Sequence, residues 1–179
     1  MPATDGASPR ARPISATLGT EAGRDAYLAE NGFSVAAYDE PWTEASFLGI
    51  PFKVPNPPRH RWAIMRHDLH HVATGYGTDL IGEAEVSAWE LACGGYGLLD
   101  VYTRAIVTQI ILVGLVAAPR RTVAAWRAAK PGARSLFHDR RPYPEVLSGS
   151  VGELRARLGV PPEGLAQHPR LLHSRAPRS

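Results

Sequence analysis

Two histidines four residues apart constrain this chain more than any other feature. His67 and His71 stand in the segment His-Asp-Leu-His-His. On an α-helix, residues four apart project from the same face, one turn from each other. This spacing lets two imidazoles reach one metal ion, as in the H-E-x-x-H helix, here with Asp68 in the acidic second place. The sequence therefore predicts a helix that carries a pair of metal ligands.

The turn after this helix predicts a third ligand. Gly75 and Gly77 permit a tight reversal, and residues 80–91 have the pattern of a second helix. In an antiparallel hairpin that reverses at Gly77, Glu83 lies level with His71, because Gly77 is midway between them. Two histidines and one carboxylate then converge from two helices. Coincidence is the alternative, since a core histidine is usually a hydrogen-bonded structural residue.

Further site residues follow from a helical projection at about 100° per residue. Asp68 and His70 flank the histidine pair on either side, so spacing leaves either of them as the fourth ligand. Glu90 lies on the same stripe of the second helix as Glu83 and is a candidate to orient a histidine. Our first hypothesis places Asp68 among the metal ligands and gives His70 and Glu90 acid–base or orienting roles.

The motif resembles that of a known family. H-D-x-x-H, eleven residues and then E, with Thr-Gly-Tyr-Gly-Thr-Asp between, resembles the signature of the coenzyme Q biosynthesis protein 4 family. Residues 23–33, 125–127 and 153–160 are similar to flanking parts of its pattern. The resemblance implies an all-helical, metal-binding protein of ubiquinone synthesis. It further implies oxidative decarboxylation of a polyprenylated benzoate, with the metal on the ring carboxylate or neighbouring oxygen and an apolar wall along the isoprenoid tail.

These observations predict a metal-dependent enzyme acting on a lipophilic aromatic or isoprenoid substrate. Nitrogen and oxygen ligands suit Zn, Fe(II), Mn or Co, and the sequence does not choose among them. We take zinc as the first expectation. One alternative is a non-catalytic lipid-binding or scaffold protein with a structural metal. A second is a tailoring enzyme of another pathway, because Asp139-Arg140 stands where the family has an aspartate–tryptophan pair. A third is a metallohydrolase that uses Asp68 as its base.

The expected fold is all-α, a single compact domain built around the helix-turn-helix hairpin. A length of 179 residues suits one domain. We expect a disordered tail at 1–19, the metal-binding domain at 20–162 and a flexible basic tail at 163–179. Prolines at 51–58 predict an extended approach to the first hairpin helix. The predicted helices cover 21–31, 59–72, 80–92, 98–118 and 151–158, and those at 59–72 and 80–92 form the hairpin.

One predicted helix is almost wholly apolar between residues 106 and 118. It is too short to span a bilayer, which takes about 20 residues. It is either a central core helix or the wall of a cavity for a long hydrophobic ligand. Residues 120–141 carry seven Lys or Arg and one acid, Asp139. This basic segment is either a headgroup-binding edge beside the apolar helix or a solvated face.

Charge and cysteine content limit the partners and the compartment. The net charge of +3 comes from the terminal stretches 1–20 and 160–179, so the neutral body argues against nucleic acid. A single cysteine, Cys93, excludes an intramolecular disulfide and fits a reducing compartment. We expect a cytoplasmic protein, peripheral at the membrane. Its expected partners are a hydrophobic small-molecule substrate, a membrane surface and, as a further option, copies of itself.

Overall fold

Helices make up most of the computed structural model, which describes residues 14–47 and 50–166, with 43–47 and 50–52 by their backbone only. Within this part of the chain there are seven α-helices: α1 Thr20–Glu30, α2 Pro58–Thr74, α3 Leu80–Ala92, α4 Val101–Ala117, α5 Pro119–Arg127, α6 Tyr143–Val146 and α7 Val151–Leu158. Two 3-10 turns cover Val35–Asp39 and Leu136–His138. The predicted all-α class is confirmed.

Two short strands precede the first hairpin helix. Strand β1, Trp42–Phe47, pairs antiparallel with β2, Ile50–Pro55, and Trp42 lies opposite Pro55 in the register. The prolines predicted an extended segment here, and β2 is that segment. Each strand has only one neighbour in this two-stranded sheet, and proline is tolerated in such edge strands because one side needs no N–H donor. The sequence did not predict strand β1 or its pairing with β2.

The predicted helix-turn-helix hairpin, α2 and α3, is confirmed. Pro58 occupies the first turn of α2, where its missing N–H would have no partner in any case. Gly75 ends α2 in a left-handed conformation, φ 84°, which glycine adopts without steric cost. Asp79 then caps α3 by accepting hydrogen bonds from the backbone N–H groups of Ile81 and Gly82. Local sequence therefore fixes both ends of the turn.

Helix α3 lies at the centre of the fold, in contact with α2, α4 and α5. Its Trp89 is almost completely buried, and burying a large apolar side chain contributes about 1.5–3 kcal/mol. The surrounding core includes Leu69, Val86, Leu136, Leu154 and Leu158. Because α3 carries Glu83 and Glu90, the best-packed helix of the domain also carries two of the predicted site residues.

Helix α4 packs through one face only. Its buried residues are Thr103, Val107, Ile111 and Gly114, whereas Leu112 and Val116 on the other side are exposed. The predicted core helix is therefore a core helix on one side only, the side that packs against α3 and α5. In the described part of the chain, no helix has the length and apolar content needed to cross a membrane.

Packed chain extends beyond the predicted domain limits of 20 and 162. Near the N-terminus, Val151 donates its backbone N–H to Leu18 O and Gly152 donates to Ala16 O. Near the other end, the N–H groups of Leu165 and Ala166 both donate to Thr74 O. Residues 16–18 and 165–166 thus belong to the folded part. The rest of the two predicted tails, at 1–13 and 167–179, lies outside the described residues.

Candidate metal centre

The side chains of His67, His71 and Glu83 converge between α2 and α3. His67 Nε2 lies 3.0 Å from Glu83 Oε2, and His71 Nε2 lies 3.4 Å from Glu83 Oε1. The two Nε2 atoms are 3.1 Å apart. One ligand atom from each of the three residues lies within 4.8 Å of the others. The three side chains therefore form a group that could hold a metal ion.

The second nitrogen of each histidine is occupied by another partner. His71 Nδ1 lies 3.1 Å from the backbone oxygen of Tyr76. A carbonyl oxygen only accepts, so this nitrogen carries hydrogen and donates. His67 Nδ1 donates in the same way to Glu90 Oε1, at 2.7 Å. Metal-binding histidines commonly donate their other N–H to a carboxylate or a carbonyl. Both imidazoles are thus held with Nε2 directed at Glu83 and at each other.

The spacing of the two Nε2 atoms fits coordination to one ion. Metal–nitrogen bonds of about 2.0–2.1 Å at angles of about 90–109° place two nitrogens about 2.8–3.4 Å apart. The observed 3.1 Å separation between His67 Nε2 and His71 Nε2 lies in that range. Two unprotonated nitrogens at this distance repel each other unless a cation lies between them. A proton on His67 Nε2, hydrogen-bonded to Glu83, removes this repulsion, and a metal ion between the two nitrogens would remove it as well.

The charges around the group favour a cation. Burial lowers the pKa of His67, but Glu90 and Glu83 raise it more, so it ends well above the ordinary value of 6.5. Burial opposes ionisation of Glu83, yet His71 and His67 bring its pKa below the ordinary glutamate range. Burial acts likewise on Glu90, whose pKa the adjacent histidines lower to about 2. Both carboxylates are therefore ionised at neutral pH.

His70 lies beside the group, with both of its ring nitrogens engaged. Its Nδ1 is 2.5 Å from Glu90 Oε1, and the backbone N–H of Leu136 donates to its Nε2 at 2.8 Å. Because Nε2 accepts, Nδ1 carries the hydrogen and the ring is neutral. Burial, the largest influence, lowers the pKa of His70 accordingly. In this arrangement His70 orients Glu90, and neither of its nitrogens is directed at the three ligands.

Asp68 faces a partner that the sequence did not indicate. Its Oδ2 accepts a hydrogen bond of 2.6 Å from the hydroxyl of Tyr38, and burial raises its pKa. The group of three ligands does not include Asp68, so its role as a fourth ligand stays a prediction. Tyr38 is 30 residues away in the chain, on a 3-10 turn, and no local pattern points to it.

Tyr27 is a second residue near the site that the sequence did not indicate. Its ring is stacked on that of His71, with ring centroids 5.4 Å apart.

The cysteine and the remaining histidines of the described chain that could bind a metal lie elsewhere. Cys93 is buried in the apolar core and is not part of the three-residue group. His60, two turns before His67 on α2, lies 3.3 Å from the hydroxyl of Thr103 through its Nδ1. His168 and His173 fall outside the described residues.

No family model matches this chain, and no similar protein is found among curated proteins or solved structures. The resemblance to the coenzyme Q biosynthesis family therefore stays a prediction that rests on the motif. The geometry of the His67, His71 and Glu83 group stands independently of it.

Proposed function

We propose that this protein is a metal-dependent enzyme whose ion is bound by His67, His71 and Glu83. One observation carries the proposal. The two Nε2 atoms lie 3.1 Å apart beside one carboxylate, while both Nδ1 atoms are held by hydrogen bonds. Three protein ligands that leave further coordination positions for water or substrate are typical of catalytic sites. Closed sites with four protein ligands are typical of structural ions.

Zinc is the first choice of metal, with Fe(II), Mn and Co as further options for two nitrogen ligands and one oxygen ligand. A bound ion would act as a Lewis acid on a substrate oxygen. The chain supplies the rest: three ligands, Glu90 to hold His67, and the Tyr76 carbonyl to hold His71. Because the ring orientations are fixed before an ion binds, little rearrangement is needed.

For the substrate we propose a lipophilic aromatic or isoprenoid compound with a ring carboxylate. Support comes from the likeness of the H-D-x-x-H motif and from the apolar surface of α4. The proposed reaction breaks the bond between ring and carboxylate and releases CO2. A proton then occupies the ring carbon. In the oxidative alternative, dioxygen and a two-electron donor supply a hydroxyl group to the ring carbon, and the second oxygen atom leaves as water. This route would need a redox-active ion such as Fe(II), because zinc does not change oxidation state. A tailoring reaction of another pathway on the same class of substrate remains the alternative.

A non-catalytic protein with a structural metal is the second candidate. The side chains of His67 and Glu83 are 20% and 28% exposed, so one side of the group is open to solvent, which favours the catalytic proposal. The two candidates differ in their response to chelation. A structural ion contributes folding free energy, so its removal would unfold the chain. We expect the chelated enzyme to keep its helical circular dichroism and to lose activity.

The metal assignment is tested by elemental analysis of purified protein. We expect about one ion per chain in the wild type and none in His71→Asn. Asparagine reproduces the Nδ1 donor to the Tyr76 carbonyl but has no counterpart of Nε2, so the fold is preserved and the ligand is lost. His60→Asn is the matched control on the same helix, because it keeps the contact with Thr103 and should keep the ion. Full metal retention in His71→Asn would refute the assignment.

Activity is tested separately on the metal-loaded protein. A prenylated benzoate is incubated with the zinc-loaded protein and, separately, with the Fe(II)-loaded protein together with dioxygen and ascorbate as the two-electron donor. CO2 and the ring product are measured by mass spectrometry. Turnover that disappears in His71→Asn but persists in His60→Asn supports the enzyme. Full metal binding with no turnover of any aromatic carboxylate tried would favour the structural alternative.

A further inference from the structure

Helix α4 exposes an apolar surface over its last two turns. Leu112 is 58% exposed, Leu115 41% and Val116 87%. These three residues, spaced by three and four positions, share one face of the helix. The buried residues of the same turns, Ile111 and Gly114, face the protein. A cluster of large apolar side chains on a surface is typical of a contact site.

The chain around this surface carries positive charge and no acid. Residues 101–138 include six Lys or Arg and not one Asp or Glu. Arg121 pairs with Glu85 of α3, while the side chains of four others beyond α4 are exposed: Arg120, Arg127, Lys130 and Arg134. Arg120 follows Val116 by four residues, so the basic region begins where the apolar face ends.

One face of helix α5 extends this surface. It is formed by Pro119, Arg120, Val123, Ala124, Arg127 and Ala128. Two arginines thus flank small apolar side chains. Next to it, Trp126 is 47% exposed, and tryptophan is enriched where proteins meet the headgroup region of membranes. Guanidinium groups beside apolar side chains match a phosphate headgroup above its acyl chains.

We propose that the C-terminal half of α4, together with α5, docks on the surface of an anionic lipid bilayer. Leu112, Leu115, Val116 and Trp126 enter the boundary between headgroups and acyl chains, and the exposed arginines contact lipid phosphates. Interfacial binding of this kind combines buried apolar area with attraction to anionic lipid. The proposal goes beyond the proposed enzyme and does not depend on the metal centre.

Charge favours lipid over a second copy of the chain as the occupant. In a two-fold dimer the same surface meets itself. Residues 101–138 would then bring arginines against arginines with no acid among them, and like charges brought together at an interface oppose association. An anionic bilayer supplies the missing negative charge over the whole area.

The proposal is tested by co-sedimentation of the full, metal-loaded chain with vesicles. One set contains phosphatidylcholine alone and the other contains phosphatidylglycerol as about a third of the lipid. We expect at least about tenfold stronger binding to the anionic set, weakened by high salt. On binding, the fluorescence of Trp126 should shift to shorter wavelength, and Trp126→Phe should remove most of that shift.

Two matched variants locate the surface. Val116→Asp places an acid in the proposed contact and should weaken anionic-vesicle binding about tenfold or more. Val101→Asp makes the same change at the other end of α4, where Val101 is 82% exposed, and should bind like the wild type. Equal binding to both vesicle sets, no binding to either, or equal loss in both variants would overturn the proposal. A dimer in solution that Val116→Asp dissociates, without vesicle binding, would assign the surface to a second copy instead.

Discussion

Glu90 Oε1 lies 2.7 Å from His67 Nδ1 and holds this imidazole by the nitrogen that faces away from the candidate metal centre. The contact joins α3 to α2 about two turns beyond Glu83. This hydrogen bond fixes the orientation of the His67 ring, so that its Nε2 is directed at His71 and Glu83. Glu90 thereby acts on any bound ion through His67.

Replacing this carboxylate should weaken metal binding without abolishing it. In Glu90→Gln the neutral amide oxygen is a weaker acceptor than the carboxylate oxygen that now binds His67 Nδ1, so His67 is held less firmly. Loss of such an outer partner typically costs about 10–100-fold in metal affinity, measurable by competition with a chromophoric chelator. Glu85→Gln is the control, because Glu85 lies on the same helix but pairs with Arg121. Equal affinities of Glu90→Gln and wild type would contradict the orienting role.

Metal binding should weaken as the pH falls. Nearby Glu90 and Glu83 outweigh burial and keep the pKa of His67 well above 6.5 in the metal-free protein, so a metal must displace a proton at neutral pH. Below that pKa the metal affinity should fall about tenfold for each unit by which the pH is lowered. Metal binding should release about one proton. Calorimetry in two buffers of different ionisation enthalpy measures the proton. Release of none would contradict a protonated His67.

The same raised pKa gives the metal-free protein a pH-dependent stability. Protonated His67 is stabilised in the folded state, so its contribution is fully present below the unfolded pKa of about 6.5 and is lost as the pH rises through the higher folded pKa. The melting temperature of metal-free protein should therefore decline on the alkaline side. His67→Gln removes the titrating group, and its alkaline decline should be smaller than that of the wild type.

The bond between Tyr38 and Asp68 should stabilise the fold while leaving metal content unchanged. A hydrogen bond to a charged group contributes about 1.5–3 kcal/mol. We expect Tyr38→Phe and Asp68→Ala each to lose about that much unfolding free energy. Because both changes remove the same bond, the double variant should lose little more than either single one. Denaturant unfolding of the wild type, the two single variants and the double variant measures this cycle. Loss of the ion in Asp68→Ala would show instead that Asp68 is a ligand.

Cys93 should be inert in the native protein. Its side chain is fully buried, and burial, helped by nearby Glu90, raises its pKa to about 12. The reactive thiolate is therefore negligible at pH 8. A colorimetric thiol reagent should detect no thiol in the folded state and one per chain in guanidinium chloride, which serves as the internal control. Rapid reaction of native protein would contradict the packing around α3.

Gly114 should not tolerate a side chain. A Cβ at this position would lie 2.2 Å from Ala84 Cβ and 2.8 Å from Thr122 Oγ1, so α4 would have to move away from α3 and α5. Overpacking of this kind costs about 1–3 kcal/mol. Glycine to alanine gains about 1 kcal/mol of helix propensity in return, and we expect a net loss in thermal unfolding. Ala84→Gly added to Gly114→Ala should recover part of it. A Gly114→Ala protein more stable than the wild type would contradict this.

Short-range features were predictable from the sequence because near neighbours decide them. The four-residue spacing of His67 and His71 sets their common face, and Gly75 sets the end of α2. The predicted bounds of α3, 80–92, agree with Leu80–Ala92. Ser150 lies three residues before Glu153, the spacing of a capping box, and the two residues form one at the start of the last helix. Each of these depends on helical period or on hydrogen bonds within one turn.

Only the tertiary structure decided which groups stand around the histidines. Tyr38 reaches Asp68 across 30 residues, and the Leu136 N–H reaches His70 across 66. Helix α4 is apolar around most of its circumference, so its composition did not show which face would be buried. Such contacts depend on how distant segments pack, and no local pattern encodes them. The sequence by itself determined a helical hairpin with paired imidazoles and a facing carboxylate, and the packing of the other elements decided which nitrogens and oxygens of that site remain for a ligand.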